Sequence, residues 1–303
     1  VIVVAREIVA MLLVVAVGAA LRPALGRDGV SALSRVAVDV AMPALVVSQL
    51  AATTDRQDLA QSWPLVVVGA LLLVLGWALG RLSGDRVSAF LIGLPNWIYL
   101  PLPMAAARWG DDGARAVLLL HLGAMPTLWT VGVALLGGRI GARALLTPGL
   151  LACVVGGVAV AWSPAVPTAL ELPLAAVAGA LSFLGAAAIP LSLLVTGARA
   201  SERGWPRADR SLVGVVAARL IGVPLVVAAV GALALRVGLV EDAVAVAVVV
   251  LVAAMPVAVS APPMVDRFVG GDDLAARAVA ASTPMALGTV PLVLWAFEWM
   301  REA

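Results

Sequence analysis

Apolar runs of about twenty residues, separated by short polar breaks, fill this chain from end to end. Ten such runs can be traced, at roughly 3–21, 36–52, 63–80, 88–107, 115–137, 146–162, 173–197, 211–235, 243–264 and 277–297. A helix needs ~20 apolar residues to cross the hydrocarbon core of a bilayer. The composition is 63% hydrophobic with a mean hydropathy of +1.08 over 303 residues, far more apolar surface than a soluble core of this size needs. The expected class is an all-α membrane protein with ten transmembrane helices. The first run has no small-residue cleavage site followed by a soluble domain, so it reads as a retained helix.

The arginines support the count. All 20 basic residues are Arg. Thirteen fall in loops after the odd-numbered runs, six fall on the other side, and Arg219 lies inside a run. The positive-inside rule then predicts both termini outside the cytoplasm. Ten crossings divide into five and five, and an odd number per half inverts the second half in the membrane. The expected organisation is two five-helix inverted repeats, residues 1–140 and 145–300. The net charge of +2 is spread over short loops and forms no basic face, so no nucleic-acid partner is expected. One Cys (Cys153) and one His (His121) leave no disulfide, no metal cluster and no nucleophile–base pair. No enzyme activity and no cofactor are expected.

Two runs match each other. GLPNWIYLPLPMAAARWGDD near residue 95 and AAMPVAVSAPPMVDRFVGGDD near residue 256 share one offset of 161 residues. The offset lays Pro95 on Pro256, Pro101 on Pro262, Gly110 on Gly271 and Asp111-Asp112 on Asp272-Asp273. The second and seventh runs correspond too, with Pro43 in VAMPALVV facing Pro190 in AAIPLSLL. Proline frees backbone carbonyls, and membranes tolerate these only where protein or a cavity surrounds them. Two matched broken helices point to a transporter's substrate site. The rings of Pro101 and of Pro262-Pro263 are expected to disturb the carbonyls near Trp97 and at Ala258 and Val259.

The residues within those breaks are uncharged hydrogen-bonding groups. Asn96 brings two amide donors and Ser260 a hydroxyl, suited to hold an anion beside a half-helix N-terminus and release it again. Asn96 would equally satisfy carbonyls freed by proline. Tyr99, Pro101, Pro103, Pro256 and Pro262 complete the expected substrate-binding segments, with Tyr99 either lining a pocket or packing between helices. Asp39 and Arg219 are charged residues within spans and are candidates for coupling or gating. Asp39 is expected to pair with Arg35, one turn earlier. Arg219 is expected to pair with Asp39, to attract an anion or to snorkel to the interface. His121, placed near the outer end of the fifth span, reads as a packing histidine more readily than a proton shuttle. The Gly-Asp-Asp segments read as turn chemistry, Gly ending one helix and Asp capping the next. Gly76, Gly80 and Gly156-Gly157 suit close helix approach, and Trp63, Trp109, Trp162 and Trp299 suit an interfacial belt.

NWIYLPLPMAAARWG (96–110) resembles the fourth-helix motif of the auxin efflux carrier family, with Asn96, Tyr99, Leu100, Leu102, Pro103 and Gly110 on the pattern. Residues 255–292 resemble that family's ninth helix, loop and tenth helix, LSRVAVDVAMPAL (33–45) its second, and IPLSLLVTGA (189–198) its seventh. The chain departs from the pattern at Ser260, where the family has Asn, at Ile98 and Pro101, where glycines are common, and at Asp39, where an aromatic is usual. The resemblance implies a scaffold of helices 1, 2, 6 and 7 that also forms a dimer surface. It implies a mobile transport domain of helices 3–5 and 8–10, with helices 4 and 9 crossing at an organic-anion site. The expected function is secondary transport of a small organic anion, a carboxylate, across a bacterial inner membrane by alternating access. The alternative is a sodium- or proton-coupled symporter similar to bile-acid carriers.

Overall fold

The computed structural model describes residues 2–53, 56–98, 100–137, 148–162, 168–201, 209–270 and 273–302. Among them there are helices, short connections and one isolated β-bridge. Six helical stretches are long and apolar enough to cross a membrane, and the chain is a multi-pass membrane protein.

The first helix, α1 (Ile2–Val36), runs through a π-helical turn (Ala37–Ala41) into α2 (Met42–Thr53). It bends at Gly26, whose φ of 64° and ψ of −178° are non-helical. After α3 (Arg56–Gly80) and a 3₁₀ turn (Arg81–Ser83) comes α4 (Arg86–Gly93), short and almost wholly buried. The chain leaves helix at Leu94 and resumes in α5 (Pro101–Thr127), bent at Gly110 with φ 63° and ψ −145°. A π turn (Leu128–Gly132) and α6 (Val133–Gly137) complete that stretch. The apolar stretches Val9–Ser48 and Pro101–Gly137, of 40 and 37 residues, are each about twice the length of one crossing. Each contains one of these glycines. That φ/ψ region is essentially restricted to glycine and strains other residues by ~1–3 kcal/mol, which is why Gly stands at both bends.

The second half follows with α7 (Pro148–Trp162), α8 (Thr168–Ala186) and α9 (Ala188–Ala200). Next come α10 (Arg210–Ala217), a π turn (Ala218–Gly222) and α11 (Val223–Arg236). The helix α12 (Ala243–Ala253) stops, the chain is irregular to Ser260, and α13 (Ala261–Phe268) and α14 (Leu274–Glu302) close the described chain. Both α4 and α12 start on an Asp cap: Asp85 accepts from Ser88 N–H at 2.8 Å and Asp242 from Ala245 N–H at 2.9 Å.

Packing sorts the helices into two groups. α1 lies along α9, and α2 lies between α7 and α8. α3 lies along α4 and α5, and α11 lies along α12 and α14. Glycine sets several of these approaches. A Cβ on Gly69 would fall 1.9 Å from Leu120 O, and one on Gly76 would fall 2.7 Å from Gly93 Cα. Gly76 and Gly80 therefore do what close helix approach requires. Gly156 is buried in α7. Trp63 and Trp299 are exposed, Trp109 is half-buried, and Trp77 is stacked on Phe90 with 6.3 Å between ring centres.

The prolines act differently from the expectation. Pro101 is the first residue of α5 and Pro262 the second of α13. In a first turn the missing proline N–H costs no helical hydrogen bond. Both prolines launch half-helices and do not kink continuous ones. The Ala258 carbonyl, expected to be disturbed, accepts from Ala261 N–H at 2.9 Å. The Gly-Asp-Asp segments differ as well. Gly110 splits α5, and Asp111 and Asp112 are exposed just beyond it. In the second segment the left-handed glycine is Gly270, with φ 78°, while 271–272 lie outside the described residues.

Candidate functional site

The two irregular segments meet. Pro95 and Val257 form an antiparallel bridge. Asn96 N–H donates to Pro256 O at 2.8 Å, and Ala258 N–H donates to Leu94 O at 3.0 Å. These groups would otherwise be orphans inside an apolar core. The bridge sets Pro95 opposite Val257, one residue from the Pro95–Pro256 match in the sequence. Val257 N–H is also held, at 3.2 Å, by Ser282 Oγ of α14.

Four helix ends converge on this bridge. The C-terminal ends of α4 and α12 present carbonyls, whereas the first turns of α5 and α13 have no N–H at Pro101, Pro103, Pro262 and Pro263 and spend the others on the backbone: Leu102 on Ile98 O, Met104 on Leu100 O, Ala261 on Ala258 O and Met264 on Ser260 O. The first pair forms a negative pole.

Beside the bridge lies a cavity of about 80 Å³. One wall comes from α2 and α9 and is aliphatic at Met42, Leu45, Val46 and Ile189, with Ser192 as its polar member, whose hydroxyl donates to Ala188 O at 2.7 Å. The other wall comes from the breaks and from α5 and its π turn, with Asn96, Trp97, Ser260, His121 and Trp129. None of the described lining residues is acidic, and none is Lys or Arg. Asn96 is 2% exposed, Trp97 5% and Trp129 1%. The Nε1 atoms of Trp97 and Trp129 and the Nδ1 atom of His121 are buried with no hydrogen-bond partner among the described residues. An indole N–H only donates, so each unmade bond calls for an acceptor. Donors on one side and aliphatic groups on the other suit an oxyanion carried on an apolar body.

The expected site residues part company here. Asn96 and Ser260, from opposite halves of the chain, line one cavity. Pro101, Pro256 and Pro262 build the backbone around it and do not line it, and neither does half-buried Pro103. Tyr99 lies outside the described residues. His121 sits on the cavity wall beside the breaks, not at the outer end of a span. Trp97 and Trp129 are not among the residues expected from the sequence. Their signal there is faint: Trp97 adjoins Asn96, while Trp129 gains its position from a π turn that no pattern of apolar residues announces.

Asp39 does not pair with Arg35. Its carboxylate accepts from Arg267 Nε at 3.0 and 3.3 Å, and Arg35 is exposed. The π turn Ala37–Ala41 inserts a residue into the helical ladder, so positions 35 and 39 no longer share a face. The neighbour of Arg267 is paired too: Asp266 binds Arg199, which also donates to Ser31 Oγ at 2.9 Å. Ser34 Oγ donates to Pro263 O at 3.0 Å. The half-helix α13 is thus fastened to α1, to the Asp39 turn and to α9 by polar contacts.

Arg219 neither meets Asp39 nor snorkels. It is 1% exposed and donates to Ile92 O at 2.6 Å and to Ala253 O. It too sits on a π turn, as do Asp39 and Trp129.

Two carboxylates outside the spans are shifted. Arg277 donates to Asp209 at 2.6 Å and, with the Leu212 N–H, holds that carboxyl below its usual range. Burial pulls the Asp85 carboxyl up, but hydrogen bonds from Ser88 and the neighbouring N–H groups outweigh it and leave the group lowered. Among the described residues, no cluster of three His, Cys, Asp or Glu side chains is placed to hold a metal.

Residues 3–145 match the family model described as membrane transport protein. The resemblance to auxin efflux carriers is borne out over that stretch. An uncharacterized transporter of Methanothermobacter thermautotrophicus is 27% identical over 290 residues, covering 88% of this chain and 89% of its own.

Proposed function

We propose that this chain, whose first half carries the sequence of the membrane transport protein family, moves a small organic anion across the membrane by alternating access. The carrying observation is the uncharged donor set of Asn96, Trp97, Trp129 and Ser260 in one cavity at the meeting of two broken helices. Neutral side-chain donors stabilise a carboxylate without binding it as tightly as a fixed cation would. The cavity, at about 80 Å³, takes a carboxylate head and a short chain, well below the ~300 Å³ of drug-sized sites.

In this reading the chain makes ten crossings in two inverted units, residues 1–140 and 145–300. Support comes from the bends at Gly26 and Gly110, which divide two over-long stretches, and from the antiparallel bridge between the breaks. The group of α1, α2 and α7–α9 is the scaffold, and the rest moves against it with the bound anion. The exposed apolar side chains of α7 and α8, such as Leu151, Val155, Leu172 and Phe183, suit lipid or a second copy in a homodimer. The arginine distribution supports both termini outside the cytoplasm. The protein's role is transport and not catalysis.

The test is flux in proteoliposomes against a panel of short carboxylates, with voltage and pH gradients imposed separately. Saturable uptake of at least one carboxylate is expected. Asn96→Ala should raise its KM roughly tenfold, the equivalent of ~1.4 kcal/mol for one lost donor to a charged group. Wild-type vesicles that move no anion under any gradient would sink the carrier reading. The alternative, a sodium- or proton-coupled symporter, predicts flux that stops without the coupling gradient. Asp39→Asn separates the two further, since proton coupling through Asp39 requires flux to lose its pH dependence in that variant.

A further inference from the structure

Arg219 is a full charge buried with neutral partners. Among the described residues no carboxylate pairs with it, and its hydrogen bonds go to the backbone carbonyls of Ile92 and Ala253. An isolated buried charge is costly, so those carbonyls must supply its compensation.

Their positions explain how. Ile92 lies in the last turn of α4, which ends at Gly93, and Ala253 is the last residue of α12. Carbonyls in a final turn lack helical partners and carry the negative end of the helix dipole, roughly half an elementary charge for each helix. Two such ends facing one point amount to roughly one negative charge. One guanidinium balances it. The π turn Ala218–Gly222 supplies the extra residue that turns Arg219 toward the crossing.

Convergent backbone carbonyls are also the ligands that a hard monovalent or divalent cation takes. A guanidinium is tethered, always protonated and unable to accept a hydrogen bond. We infer that Arg219 is a resident counter-cation: it occupies the cation position between the two broken helices, so that the crossing carries an anion without a co-transported metal ion. This rests on the carrier reading above, and it deepens that reading by fixing the energetics of the site.

The experiment has a transport arm and a transport-independent arm. In proteoliposomes, wild-type carboxylate flux should be equal in sodium, potassium and choline salts. Arg219→Gln should lose flux by roughly tenfold or more, as two charge-assisted hydrogen bonds vanish. Arg219→Lys should retain more flux than Arg219→Gln, because it keeps the charge. In detergent, millimolar guanidinium ion should raise the unfolding temperature of Arg219→Ala and leave wild type unchanged. A sodium requirement in wild type overturns the inference. So does Arg219→Gln with wild-type flux, or Arg219→Ala with no response to guanidinium. If wild type moves no carboxylate, the carrier reading fails, and the guanidinium arm alone decides whether Arg219 fills a cation site. If Arg219→Ala cannot be purified, the wild-type salt series and Arg219→Lys against Arg219→Gln still decide.

Discussion

Two indole N–H groups define the site more sharply than any charged residue does. Trp97 and Trp129 are buried on the cavity wall with their Nε1 atoms unpartnered among the described residues. Trp97→Phe and Trp129→Phe keep most of the ring and remove the donor. Each should raise the KM for a transported carboxylate roughly fivefold to tenfold, for ~1–1.5 kcal/mol of lost hydrogen bonding, with expression unchanged. Transport assays on the two variants and on the double variant check this; an unchanged KM in both would remove the indoles from the site. Asn96 is legible in the sequence because a lone amide among prolines in an apolar run has few other reasons to be there. Ser260 is legible only through its partner segment. Asp39 shows where such reading stops. Spacing of four pairs it with Arg35 in a regular helix, but a π turn changes the faces and gives it to Arg267.

At the scale of elements, the prolines and glycines of this chain mark ends and bends. The breaks are visible in the sequence as matched prolines, yet their part in starting α5 and α13 needs the backbone. Gly26 and Gly110 adopt left-handed φ values of 64° and 63°. Nothing lies within 4 Å of the point that a Cβ would occupy at either glycine, so a substitution there meets only conformational strain. Gly110→Ala should therefore cost ~1–3 kcal/mol and lower the unfolding temperature in detergent, without a cavity or clash to repair. A substitution with no effect would mean that the bend relaxes. The cap of α10 offers a pH handle. Asp209 is held below its ordinary value of 3.8 by Arg277 and the Leu212 N–H. A lowered folded value means a stabilising contribution that is complete above the unfolded value and lost as pH falls through the folded one. Asp209→Asn should flatten the acid side of the stability curve below about pH 4 while leaving neutral flux intact. Thermal unfolding across that range reads the difference.

Across the whole molecule, the apolar runs and the arginine bias carry most of what the sequence can say, because burying backbone in lipid allows few solutions. The tertiary contacts between halves are not readable there, since they depend on π turns and on main-chain geometry. The fastening of α13 illustrates this. Asp39–Arg267 and Arg199–Asp266 join it to the group of α1, α2 and α7–α9, and the alternating access proposed above would require them to open. Asp39→Cys with Arg267→Cys, in a Cys153→Ser background, should give flux that a bifunctional thiol reagent of suitable length abolishes and a cleavable one restores on reduction. Full flux in the cross-linked protein would show that these groups do not separate during transport. The bridge at Pro95 and Val257 has a different consequence. Its two hydrogen bonds run between main-chain atoms, which every residue but proline supplies in the same form. The side chains at 96, 97 and 260 can therefore be exchanged over generations without unfastening the crossing. A chain built this way can acquire a new cargo by small steps, each intermediate still folding around the same hinge.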